Sequence, residues 1–112
     1  METQVEHTER LTILSLSGRF DAHTAPQVRE TLLRLLDEGH HHILVDMARV
    51  NFVDSTGLST LVGGMKRCRQ AGGDLSLLQL QPPVRIIFEL TRLDKAFEIY
   101  PDRETALASK GE

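Results

Sequence analysis

Apolar positions along this chain follow two rhythms, and the rhythms alternate. Leu11 to Ser17 (LTILSLS) is rich in Leu and β-branched residues without helical spacing, which predicts a strand closed by Gly18 and paired as a hairpin with a short strand near Val5. The period then lengthens. Val28, Leu32, Leu35 and Leu36 recur at the i, i+4, i+7, i+8 spacing of an amphipathic helix, with Asp21 or Thr24 placed to cap it, Pro26 in its first turn and Gly39 as its stop. Ile43 to Met47 is a short apolar run between a histidine cluster and a polar turn, as expected of a strand buried on both faces.

Asp54-Ser55-Thr56-Gly57 offers capping groups ahead of a second helical stripe, Leu58, Leu61, Val62, Met65 and Cys68, which ends at Ala71-Gly72-Gly73. Leu75 to Leu80 reads as another strand, and Pro82-Pro83 opens a third helix carrying Val84, Ile87 and Phe88. Phe97 to Tyr100 is a last short strand. Asp102 caps a final helix from Arg103 to about Ala108, and residues 109–112 are expected as a loose tail. This alternation predicts right-handed βαβ units. The fold class is α/β: a small mixed, largely parallel sheet with an N-terminal hairpin and about four helices. Periodicity leaves open whether the helices cover one face or both.

Composition narrows the picture. At roughly 100 to 200 residues per domain, 112 residues make a single domain spanning 1–112. Forty per cent apolar against 26% charged residues is an ordinary globular balance. The lone Cys68 has no partner for an internal disulfide, so a reducing compartment fits. A net charge of −3 supplies no general field for nucleic acid or an anionic membrane. The start lacks a signal peptide's basic and apolar regions, no apolar run approaches the roughly 18 residues of a spanning helix, and the expected location is the cytoplasm.

The segment Val50 to Val62 (VNFVDSTGLSTLV) concentrates polar groups where a buried strand should turn into a helix. Two readings of Ser55 stand side by side. It is a plain helix cap, accepting a backbone N–H bond worth about 1 kcal/mol, or it is a phosphoryl acceptor at a helix start that favours added negative charge. Nothing else suggests catalysis. No G-x-x-x-x-G-K-[ST] cradle is present, and Ser55 lacks the G-x-S-x-G of a hydrolase nucleophile. Gly63-Gly64 fits close helix packing and Gly72-Gly73 a helix stop. His40-His41-His42 reads as a solvated turn, since consecutive histidines do not converge on one metal. His23, beside Asp21, is a helix-entry polar residue or a pH sensor. Lys66, Arg67 and Arg69 mark a solvated helix face or a footprint for an acidic partner. No cofactor, metal or enzyme activity is expected.

Gly18-Arg19-Phe20-Asp21, Ala25-Pro26 through Leu36, Ile43 to Met47, Val53-Asp54-Ser55-Thr56-Gly57-Leu58, Pro83-Val84-Arg85 and Leu90-Thr91-Arg92-Leu93 follow one another in that order. With these landmarks the sequence resembles, across nearly the whole chain, STAS domains of the anti-sigma factor antagonist family. The resemblance implies that Ser55, with Thr56 as runner-up, is phosphorylated by a partner that is both anti-sigma factor and serine kinase. It also implies that the unphosphorylated form docks on that partner and frees a sigma factor, and that a PP2C-type phosphatase resets it. The expected docking surface is Asp21, His23, Thr24, Asp54, Ser55, Thr56, Gly57, Leu58 and Ser59. Two positions depart from the family pattern: Arg92 stands where a Gly often ends the third helix, and Ile86 where a charge is common. The rival readings are a passive STAS subunit of a transporter or signalling complex, and a small nucleotide-binding protein.

Overall fold

The structure, a computed structural model, describes residues 1–111. The chain runs β1 (Glu2–His7), β2 (Thr12–Phe20), α1 (Ala25–Asp37), β3 (His42–Val53), α2 (Ser55–Gln70), β4 (Asp74–Leu78), α3 (Pro82–Leu90), a 3₁₀ turn (Leu93–Lys95), β5 (Ile99–Tyr100) and α4 (Arg103–Ser109). The strands form one sheet in sequence order, with β1 antiparallel to β2 and every later pair parallel. This is the mixed, largely parallel α/β layer that the alternating rhythms predict.

Both sheet faces are covered, unequally. Alternate side chains of the strands, Leu14, Leu16, Val45, Met47, Leu75 and Leu77 among them, pack under α1, α2 and α3 in the main core. Their neighbours Leu11, Ile13, Leu44 and Leu78 turn the other way and meet Tyr100 and Ala106, so among the described residues short α4 is the helix that shields that side. Strands buried from both sides read as continuous apolar runs. Cys68 sits in the main core, where burial and then the charge of Asp74 push its thiol up to about 11, leaving it a packing residue.

Four boundaries differ from expectation. Gly18 does not close β2; it takes φ +117° at an irregularity in the β2–β3 pairing, and the strand continues to Phe20. β3 runs on from Met47 to Val53 because β2 goes on pairing with it, Ser17 with Arg49 through Phe20 with Val53, whereas β4 pairs only with His42 to Asp46. Beyond Asp46, Gln81 Nε2 takes the place of β4 by donating to the Ala48 carbonyl at 2.7 Å, and Ala48, Arg49 and Asn51 sit exposed within a strand rather than in a turn. β4 ends at Leu78, before Gln79 at φ 60°, and β5 keeps only two residues. Arg92 occupies the left-handed region at φ 63°, the conformation for which a Gly would be chosen. Of the expected tail 109–112, Ser109 ends α4 with its hydroxyl 3.1 Å from Tyr100 Oη, Lys110 lies 3.7 Å from Glu98, and residue 112 is outside the described residues. His40 stacks on His7 at 4.2 Å between ring centroids, and the described residues hold no group of three or more potential metal-ligating side chains.

Candidate functional site

β2 and β3 finish side by side, Arg19 opposite Phe52 and Phe20 opposite Val53, and each then turns into a helix. The two turns are therefore neighbours, and what joins them is Asp54. One carboxylate oxygen accepts from the Gly57 N–H at 2.9 Å, capping α2, and the other accepts from the Ala22 N–H at 3.1 Å, in the turn before α1. The Asp54 N–H donates to the Phe20 carbonyl at 3.2 Å, closing the junction from the backbone side.

The first turn is organised differently from expectation. Neither Asp21 nor Thr24 caps α1 in the ordinary way: Thr24 makes no side-chain cap bond to the helix. Its hydroxyl instead donates to the Arg19 carbonyl at 2.7 Å and accepts from the Asp21 N–H, while Asp21 accepts from the N–H groups of His23 and Thr24. Partial desolvation pushes the Asp21 carboxyl upward, but the Thr24 and His23 N–H groups, the Thr24 hydroxyl and Arg19 outweigh it and hold the group below its ordinary value.

Because Asp54 is the cap, Ser55 is not. It is the first residue of α2, it is exposed, and its hydroxyl makes no hydrogen bond among the described residues. The plain capping reading of Ser55 is overturned: one position upstream, a carboxylate already holds the N–H that the hydroxyl would have taken. Thr56 and Ser59 are exposed beside it, as is His23 across the junction. Gly57 and Leu58 lie behind that surface. A Cβ on Gly57 would stand 2.7 Å from the Phe20 carbonyl oxygen and 2.8 Å from Val53 Cγ2, so only glycine lets α2 start this close to β2. Leu58, 9% exposed, borders a shallow depression that Ser55 shares with Val62, Lys66 and Leu93.

Periodicity missed Arg19 as a site residue. Its guanidinium lies 4.0 Å over the Phe52 ring and 3.6 Å from Asp21, a cation fixed at the rim of an otherwise acidic junction. The pairing of β2 with β3 puts Arg19 opposite Phe52, and that register is not encoded in either segment alone.

The family model for the STAS domain matches residues 2–106, a span that includes this junction and the hydroxyl of Ser55. The chain belongs to the STAS domain family. It is 30% identical over 108 residues to the anti-sigma F factor antagonist of Paenibacillus polymyxa, covering 96% of this chain and 92% of that one. It is 33% identical over 99 residues to the anti-sigma-B factor antagonist of Listeria monocytogenes, covering 88% and 86%. Among solved structures, an anti-sigma factor antagonist from Mycobacterium paratuberculosis superposes with a TM-score of 0.87 at 28% identity, covering 96% and 92%. The family resemblance read from the landmark residues is thus borne out, as is the STAS-type sheet. No helix of the described residues is long and apolar enough to cross a membrane.

Proposed function

We propose that this STAS domain is an anti-sigma factor antagonist that works by binding rather than by catalysis, in the cytoplasm. In the unphosphorylated state it docks through the Asp21–Thr24 turn and the start of α2 on an anti-sigma factor that is also a serine kinase, and so releases a sigma factor. Phosphorylation at Ser55 ends the docking, with Thr56 as the runner-up acceptor, and a PP2C-type phosphatase restores it. The names of its relatives support the role. The observation that carries the switch is the division of labour at α2, where Asp54 caps and Ser55 stands free.

The physics follows from that division. A phosphoryl group adds roughly −1.5 to −2 charge and three acceptor oxygens. Placed on the first residue of a helix it meets the positive end of the dipole, and the cap bonds of Asp54 do not have to break. The domain keeps its fold. The effect falls on the partner, which must dock against a new dianion beside Asp54 and Asp21, and an unpaired charge at a desolvated interface weakens binding by orders of magnitude. The test is intact-mass and peptide-level phosphosite analysis of the protein from its own cells in growth and stress, beside Ser55→Ala. A single phosphoryl group that disappears in the variant supports the switch. A demonstrably present protein that is unmodified in every condition overturns it.

A further inference from the structure

The helices α1 and α2 lie side by side, and two adjacent glycines shape the space between them. Gly64 faces inward, where a Cβ would stand 3.0 Å from Leu32 and 3.1 Å from Leu75, so it brings α2 down onto α1 and the sheet. Gly63 faces outward, and nothing lies within 4 Å of a Cβ built there. The result is an open groove of about 330 Å³, lined from α1 by Arg29, Leu33 and Leu36 and from α2 by Arg67.

The charge of this groove runs against that of the chain. The protein carries a net −3, yet no carboxylate lines the groove, and the guanidinium groups of Arg29 and Arg67 make no hydrogen bond or ion pair among the described residues. A purely apolar occupant would desolvate two unpaired guanidinium groups. A purely ionic one would leave the leucine wall uncovered. What satisfies both is a short amphipathic segment with apolar side chains on one side and carboxylates on the other, for which guanidinium is the better-matched cation. The groove is also continuous with the face around Ser55, since Thr56 and Ser59 line it at its upper end.

We infer that the groove between α1 and α2 receives an acidic amphipathic segment of the protein partner that docks at Ser55. The inference rests on the docking reading given above and extends it. The groove joins attraction to release: Arg29 on α1 and Arg67 on α2 draw the segment in, and its end at Thr56 and Ser59 lies next to Ser55, so a phosphate there repels the carboxylates nearest the junction.

The test places a photo-crosslinking amino acid, benzoylphenylalanine, at position 23 on the junction or at position 33 on the groove wall, in the full chain in its own cells, and maps the cross-linked peptides. Expected is one partner captured from both positions, with the position-33 cross-link falling on an acidic segment. A cross-link from position 23 alone, or from position 33 to a segment without carboxylates, overturns the groove assignment and leaves the docking reading standing. No cross-link from either overturns both. With the captured partner purified, Arg29→Glu/Arg67→Glu is expected to weaken its binding by about 100-fold or more, and Arg29→Lys/Arg67→Lys by less than about 10-fold, each variant shown to be folded by its amide NMR spectrum. Equal affinity for the Glu pair and the unaltered protein refutes the assignment.

Discussion

Two helices of this domain begin with the same chemistry and end up with different meanings. At α4, Asp102 accepts from the Thr105 N–H at 2.7 Å; at α2, Asp54 accepts from the Gly57 N–H at 2.9 Å. The first is a local cap on a seven-residue helix. The second uses its other oxygen to hold the turn before α1, so one carboxylate sets the geometry of two helix entries. A cap becomes a site when its spare bonding capacity reaches a second element and the residue after it is left free.

The sharpest way to break that contrast is to push α2 away from β2. Gly57→Ala forces a Cβ against the Phe20 carbonyl and should cost about 1–3 kcal/mol in chemical denaturation, as overpacking does. Gly63→Ala, six residues along the same helix with open space around it, should instead stabilise by about 0.5–1 kcal/mol. Similar effects from the two would mean that α2 has freedom the packing denies it. Next comes the cap itself: Asp54→Ala should cost about 2 kcal/mol, the upper end of cap deletions, because the Ala22 N–H loses its acceptor too, against about 0.5–1 kcal/mol for Asp102→Ala. Equal losses would reduce Asp54 to an ordinary cap.

Ser55→Ala should then change stability by less than about 0.5 kcal/mol, since the hydroxyl holds nothing in the fold. A larger loss would return Ser55 to structural duty. The smallest effect is acid-side. The Asp21 carboxyl is held down, against partial desolvation, by the Thr24 and His23 N–H groups, the Thr24 hydroxyl and Arg19, and that of Asp102 by the Thr105 N–H and hydroxyl. A depressed carboxyl stabilises the fold fully above its unfolded value, near 3.8, and the contribution is lost as pH falls through the lower folded value. Side-chain NMR titration should therefore put both midpoints below 3.8, and Asp21→Asn should flatten the stability curve only on that acid side. A midpoint at or above the ordinary value would dissolve the Asp21 turn network.

The order and kind of the elements were legible in the sequence because each buries an apolar stripe with its own period. Element lengths were less so. Ala48 to Asn51 look like a turn by polarity, and it is the continued pairing with β2, past the early end of β4, that keeps them in a strand. Within the site, the acidic residue and the hydroxyl were legible as types at a spacing, but not which of them caps. That depends on where α2 starts, and a shift of one residue exchanges cap for acceptor. The bond from Asp54 to Ala22 crosses 32 positions, and the stacking of Arg19 on Phe52 depends on the β2–β3 register. Neither leaves a mark in local pattern.

Arg92 sits in left-handed backbone at φ 63°, beside the Leu93 that borders the Ser55 depression. An L side chain there carries about 1–2 kcal/mol of steric excess. Glycine relieves it, less what it loses by loosening the unfolded chain. A net gain of about 1 kcal/mol raises the melting temperature of a domain this size by about 4 °C or more. Position 92 is therefore a dial for heat tolerance, turned by a single exchange while Asp21, Asp54 and Ser55 keep their places.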